Sequence, residues 1–152
     1  MKIRTHLCLS LFCAAFCTGH GLGHTQDALI FHASPESQAL GYPFSDAVEV
    51  DGWIYISGQI GADPETDVLV EGGIEGQTRQ TMDNIKSHLE RLGLKMNRIV
   101  KCTVMLEDMA DWPAFNAVYR TYFDTNYPAR SALGADGLAL GAAVEVECIA
   151  RR

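Results

Sequence analysis

Ala47-Val48-Glu49-Val50-Asp51-Gly52-Trp53-Ile54-Tyr55-Ile56-Ser57-Gly58 alternates side-chain character with period two on both sides of Asp51-Gly52. That is the pattern of two short strands joined by a two-residue turn, because both central residues of a type I′ turn need positive φ and Asp-Gly supplies them. Working outward, the polar Pro/Gly/Asp-rich stretch from Gly61 to Gly73 reads as a loop. Thr78, Met82, Ile85, Leu89 and Leu92 then step by four and three, which stripes one face of a helix that Gly93 can close. Ile99 to Leu106 is predicted as a strand with Val100, Cys102, Val104 and Leu106 on one face.

A second helix starts after Asp111 as cap, carries Pro113 in its first turn and the apolar stripe Phe115, Val118, Tyr119 and Tyr122, and should end near Asn126. Pro128 opens a strand through Leu133, Gly134 to Gly141 is a loop, and Val144 to Ala150 alternates as a final strand. The order ββαβαββ specifies an α+β fold in which two helices cover one face of a mixed sheet. The other face also needs a cover, and self-association is the economical one.

The 152 residues, 47% apolar and 20% charged, fit one globular domain. Lys2, Arg4 and His6 precede a short apolar run, Leu7 to Cys17, followed by Thr18 to Gly23, the order of a cleavable secretion signal over residues 1–23. The run is too short to span a bilayer, which takes roughly 20 helical residues. A misassigned start or an unstructured tail is the other reading. Residues 24–39 are assigned to an extension and 40–152 to the domain proper, exported to the periplasm or outside the cell if the signal is used and cytoplasmic otherwise.

The formal charge is −7, and loss of the leader takes two of the 12 Lys+Arg and none of the 19 Asp+Glu, leaving −9. Such a surface repels phosphate backbones, so nucleic acid is excluded as the expected partner. No membrane association is expected of the mature chain. Cys8, Cys13 and Cys17 lie in the leader; Cys102 and Cys148 sit in strand-like segments, either as buried thiols or, in an oxidising compartment, as a disulfide. His24, His32 and His88 show no ligand spacing, and no metal site is predicted.

Arg130 and Glu145 are equidistant from the middle of the Gly134–Gly141 loop. If the two strands fold back as a hairpin, the two residues face each other across the ladder, on the sheet face opposite the helices, with Glu147 beside Glu145. They read either as a cross-strand salt bridge or as a site in which the planar fork of Arg130 holds a carboxylate ligand.

Pro128-Ala129-Arg130-Ser131, the ending GLALGAAVEVECIA, Ser57-Gly58-Gln59-Ile60, the helix TRQTMDNIKSHLE, VKCTV and FNAVY together resemble the RidA (YjgF-like) imine-deaminase family, from about Leu40 to the C-terminus. The resemblance implies a chorismate-mutase-like fold and a homotrimer with sites at the subunit interfaces. The activity it implies is hydrolysis of reactive 2-imino or enamine acids to 2-keto acids and ammonia with no cofactor. It gives Arg130 the substrate carboxylate, Glu145 the water, and Asn116, Ser57, Gly58 and the position of Phe44 supporting contacts.

Phe44 stands where the family has a tyrosine, and Ala132 where a cysteine is frequent; Tyr42 lies nearby but out of register. These departures keep a second function open: a carboxylate-binding or stress-related relative with little or no turnover. On the residues alone, Ser57 also reads as a strand terminus, Asn116 as an exposed polar residue of its helix, and Phe44, Trp53 and Trp112 as packing residues.

Overall fold

The Asp51-Gly52 turn forms as its chemistry demands. Both residues take positive φ, 51° and 74°, and β2 (Ala47–Val50) folds back on β3 (Trp53–Ile60) with Val50 opposite Trp53. The computed structural model describes residues 28–152; the secretion signal expected over 1–23 lies outside the described residues. Before the hairpin, within or bordering the stretch assigned to an extension, β1 (Ile30–His32) pairs antiparallel with β2. There α1 (Pro35–Leu40) also forms, with the Ser34 hydroxyl accepting from the Ser37 N–H. Elements of three and six residues are too short to show a period.

The apolar stripe beginning at Thr78 lies on α2 (Gly73–Arg91), and Gly93 follows it at φ 72°. β6 (Val144–Arg151) buries alternate side chains throughout, whereas β4 (Ile99–Leu106) does so only from Cys102 on: its register with β6 shifts between Ile99 and Lys101, so Ile99 is buried and Val100, expected on the core face, is 42% exposed. α3 (Trp112–Tyr119) stops earlier than its stripe suggested, because Tyr122 belongs to a following 3-10 turn, Arg120–Tyr122. Asp111 makes no capping hydrogen bond; Asp108 does, accepting from the Ala110 N–H at 2.8 Å one turn earlier.

β5 (Ala129–Gly134) is where the fold departs from expectation. The sheet order is β1-β2-β3-β6-β4-β5, so the hairpin between β5 and β6 does not form. β5 runs parallel to β4, and β6 lies between β3 and β4, antiparallel to both. A strand followed by a helix and another strand closes as a parallel crossover unit, and β4-α3-β5 is such a unit. β6, apolar at every second position, takes the sheet centre; β5, mostly exposed, takes the edge.

α2 and α3 cover one face, where Met82, Ile85, Leu89 and Phe115 pack on Ile54, Val104 and Val146 with no exposed surface. The other face keeps Tyr55 and Leu133 each 48% exposed. One lateral row crosses the whole sheet: His32, Ala47, Ile56, Cys148, Cys102 and Arg130 are successive register partners. At its centre Cys102 and Cys148, both buried, are joined as a disulfide with their Cα atoms 4.1 Å apart.

Candidate functional site

Pairing of β3 with β6 slips between Ile56 and Gln59, so Ser57 and Gly58 form a bulge, the device by which a strand re-aims its side chains. The Ser57 hydroxyl donates to the Ser45 carbonyl at 2.7 Å and its N–H to the Asp46 carbonyl at 3.0 Å. Glu145, opposite Ile60 on β6, lays its carboxylate on the bare backbone of Gly58; a Cβ there would lie 2.0 Å from Glu145 Oε1. Any other residue at position 58 would evict the carboxylate. Burial, and secondarily the charge of Glu147, holds the Glu145 carboxyl above the usual range, so it is a stronger base than a surface glutamate.

Ser57, Gly58 and Glu145 line a cavity of about 640 Å³ together with Phe44, Tyr42 and Leu140. Phe44 is 52% exposed, not a packing residue, and stacks on Tyr42 with ring centres 5.0 Å apart. That stack brings a phenol into the cavity from a position out of family register. The Tyr42 hydroxyl is pushed up to about 12, first by its hydrogen bond to Asp67 and then by burial, and remains a donor at neutral pH.

Arg130 is elsewhere. Its Nη2 donates to Asn116 Oδ1 at 2.8 Å, and its guanidinium lies 4.6 Å from the ring centres of both Trp112 and Tyr119. These contacts belong to α3, so Arg130 projects toward the helix-covered side, and the expected face-to-face pair with Glu145 is corrected on two counts. β4 separates their strands, and their side chains leave opposite faces of the sheet. Two strand spacings across and three residues along put their Cα atoms roughly 14 Å apart. Asn116 is therefore a partner that fixes the fork of Arg130, and Trp112 is the platform under it.

Four cavity residues were given no site role by the resemblance, although Gln59, Asn84 and His88 lie within its motifs: Tyr42, Asn84, Gln59 and His88. The amide nitrogen of Asn84 donates to the carbonyls of Ile60 and Ala62, pinning the end of β3 to α2. Asn84, His88 and Arg91 step by four and three, a polar stripe flanking the apolar one, and that spacing could have marked them as a set. Among the described residues no group of three or more His, Cys, Asp or Glu is placed to hold a metal ion, and no helix is long and apolar enough to cross a membrane.

A mixed sheet with helices on one face and a carboxylate seated on a bulged glycine in a cavity defines a class of small α+β domain with a polar small-molecule pocket. The family model described as Endoribonuclease L-PSP matches residues 34–152. The mouse and human 2-iminobutanoate/2-iminopropanoate deaminases are 44% and 42% identical over 108 residues, 71% of this chain and 80% and 79% of theirs. Among solved structures, RidA from an Antarctic Psychrobacter is 40% identical with a TM-score of 0.70, covering 73% of this chain and 89% of that one. A Rid-family protein of Yersinia pestis is 36% identical with a TM-score of 0.77, covering 82% of this chain and 100% of that one. The chain belongs to the YjgF/RidA family.

Proposed function

We propose that this protein hydrolyses reactive 2-imino or enamine acids to 2-keto acids and ammonia, with Glu145 orienting the attacking water and Arg130 of another copy holding the substrate carboxylate. The observation that carries the reading is the Glu145 carboxylate, raised in basicity and seated against Ser57 and Gly58 at the wall of a cavity. The separation of Arg130 from that cavity within one chain supports a site shared between copies, as in the homotrimer the family resemblance implies. The exposed sheet face supplies apolar surface for such an assembly.

Water adds to the imine carbon as a proton passes to nitrogen, giving a carbinolamine. Its hydroxyl proton then passes, by way of the Glu145 carboxylate, to the amino nitrogen as the C–N bond breaks, leaving the keto acid and ammonia. Positioning by a bidentate arginine and one carboxylate suffices, and no metal is required. With imine generated by an amino-acid oxidase, the wild-type protein should accelerate clearance and Glu145→Gln should lower kcat about 100-fold or more. Unchanged clearance would remove Glu145 from the mechanism.

The base works only as a carboxylate, so activity falls as pH drops through its raised pKa. Glu147→Gln, which removes one cause of that rise, should move the acid limb of the pH profile downward. Sharing of the site has its own test. Arg130→Ala and Glu145→Gln proteins, each inactive, should regain part of the activity when dissociated and reassociated together; no recovery would place both residues in one protomer's site.

Phe44, which lacks a hydroxyl, and Ala132 favour the second reading, a carboxylate-binding protein without turnover. Benzoate or a 2-keto acid bound at Arg130, with no clearance of imine, would establish it. The nuclease activity in the family's description is disfavoured by the charge of −7, and tight RNA binding at physiological salt would reverse that judgement. The compartment is open between export and the cytoplasm: a lasting Cys102–Cys148 bond would require an oxidising compartment, and N-terminal sequencing of the native protein decides whether the leader is removed.

A further inference from the structure

We infer that His88 is a positioning residue for this reaction, holding through Gln59 the Ser57–Gly58 bulge on which the Glu145 carboxylate rests. The inference rests on the proposed deaminase function. Its evidence is a directed chain of hydrogen bonds from α2 to β3. The His88 ring is 12% exposed, and its Nδ1 contacts the guanidinium of Arg91, one turn further along α2. A guanidinium only donates, so Nδ1 must accept, and the ring proton must sit on Nε2.

Nε2 lies 3.1 Å from Gln59 Oε1, so it donates there. That contact turns the Gln59 amide nitrogen toward the carbonyls of Ser57 and Gly58, each 3.2 Å away. The bulge has slipped out of register with β6, and Gln59 gives two of its carbonyls a partner. Every member has one compatible orientation, which is how a backbone feature is held to the tolerance that catalysis needs.

The groups around the ring come from several elements. Asp46, on the approach to β2, lies 3.8 Å from Nδ1 and 3.6 Å from Arg91. Its carboxylate accepts the Ser34 N–H at 2.6 Å and the Ser37 hydroxyl. Burial raises the Asp46 carboxyl, but those hydrogen bonds and the field of His88 outweigh it and hold it below its ordinary value. A smaller cavity of about 300 Å³ behind the cluster is lined by His32 as well as Asp46, His88 and Arg91. Glu36, Asp63, Glu65, Asp67 and Glu145 line the larger cavity with His88.

Burial, followed by the charge of Arg91, holds His88 below its ordinary value, with Asp46 pulling the other way. At neutral pH the ring is therefore neutral and the relay intact. Acid places the second proton on Nδ1, which then repels Arg91 and is drawn to Asp46; Nε2 keeps its proton, and the relay loosens because this turn of the ring swings the Nε2–H off its line to Gln59.

The test uses full-length protein carrying His88→Leu or His88→Gln, with melting curves to confirm folding. His88→Leu should lower kcat for imine clearance about tenfold or more while KM changes little, because the carboxylate contact is made by Arg130. His88→Gln, whose amide can donate to Gln59, should restore most of that kcat and reduce the acid limb from a two-proton to a one-proton dependence. A folded His88→Leu protein with wild-type kcat, or equal losses in both variants, would overturn the inference. Nitrogen NMR of the His88 ring gives a readout independent of turnover: an Nε2–H tautomer is expected, and an Nδ1–H tautomer overturns the relay. If the wild-type protein clears no imine, the proposed function fails; the ring tautomer, with Ser57 and Gly58 amide shifts that move in His88→Leu and return in His88→Gln, then decides the relay alone.

Discussion

On the proposed function, Arg130→Ala should lower kcat/KM for imine clearance by about 100-fold or more, with most of the loss falling on substrate binding. A planar guanidinium meets a carboxylate with two parallel hydrogen bonds, each charge-assisted bond contributing about 1.5–3 kcal/mol, and each 1.4 kcal/mol is a factor of ten. The fork is held in advance by the 2.8 Å bond to Asn116 and by the rings of Trp112 and Tyr119, so little ordering remains when substrate arrives. Arg130→Lys should recover little, since an ammonium offers neither the fork nor the stacked plane. Asn116→Ala should cost less than Arg130→Ala, because the rings still hold the guanidinium. The assay couples an amino-acid oxidase to the loss of its imine product, and a folded Arg130→Ala protein that clears imine as fast as wild type rejects the assignment.

Reduction of the Cys102–Cys148 disulfide should lower stability by up to about 4 kcal/mol, the chain-entropy value for a loop of this length, the two cysteines being 46 residues apart in sequence. For a domain of this size that is a fall in Tm of roughly 10–15 °C. Cys102→Ala/Cys148→Ala should melt near the reduced protein and be insensitive to reductant. The measurement is a thermal or denaturant melt with and without a thiol reductant. An unchanged midpoint would mean that the bond adds nothing to a sheet already held by β4–β6 pairing.

Hydrophobic periodicity carried the fold a long way. The Asp51-Gly52 hairpin, the α2 stripe and the β4 alternation from Cys102 to Leu106 appear as read, because each is a local pattern facing one core; Val100 does not, because a register shift at the start of β4 turns it outward. The β5–β6 hairpin failed because period two says which face a residue occupies, not which strand lies beside it. The connectivity held the missing information: a helix between β4 and β5 makes those two parallel neighbours, and the eight-residue β6 with four buried alternate positions belongs in the middle. The same error put Arg130 on the wrong face and opposite Glu145, whereas Glu145 lies on the face read for it.

The candidate site was legible only in part for a related reason. Ser57, Gly58, Phe44 and Glu145 could be matched by family register, and the structure brings all four to one cavity. Asp46, Gln59 and His88 come from a loop, a strand and a helix, and no pattern along the chain ties them together. Whether Cys102 and Cys148 stand as thiols or as a disulfide depends on register between distant strands, which no pattern along the chain carries.

The position of the disulfide also bears on how the protein can be taken apart. Cys148 lies in β6, and the loop it closes with Cys102 contains α3, β5 and Arg130. A proteolytic cut inside that loop leaves the pieces joined. An unfolding motor that pulls β6 out of the sheet meets the crosslink within that strand and must either stall or draw several strands of chain through its pore together. Turnover of this protein by such machines would then be gated by thiol chemistry, with reduction preceding threading.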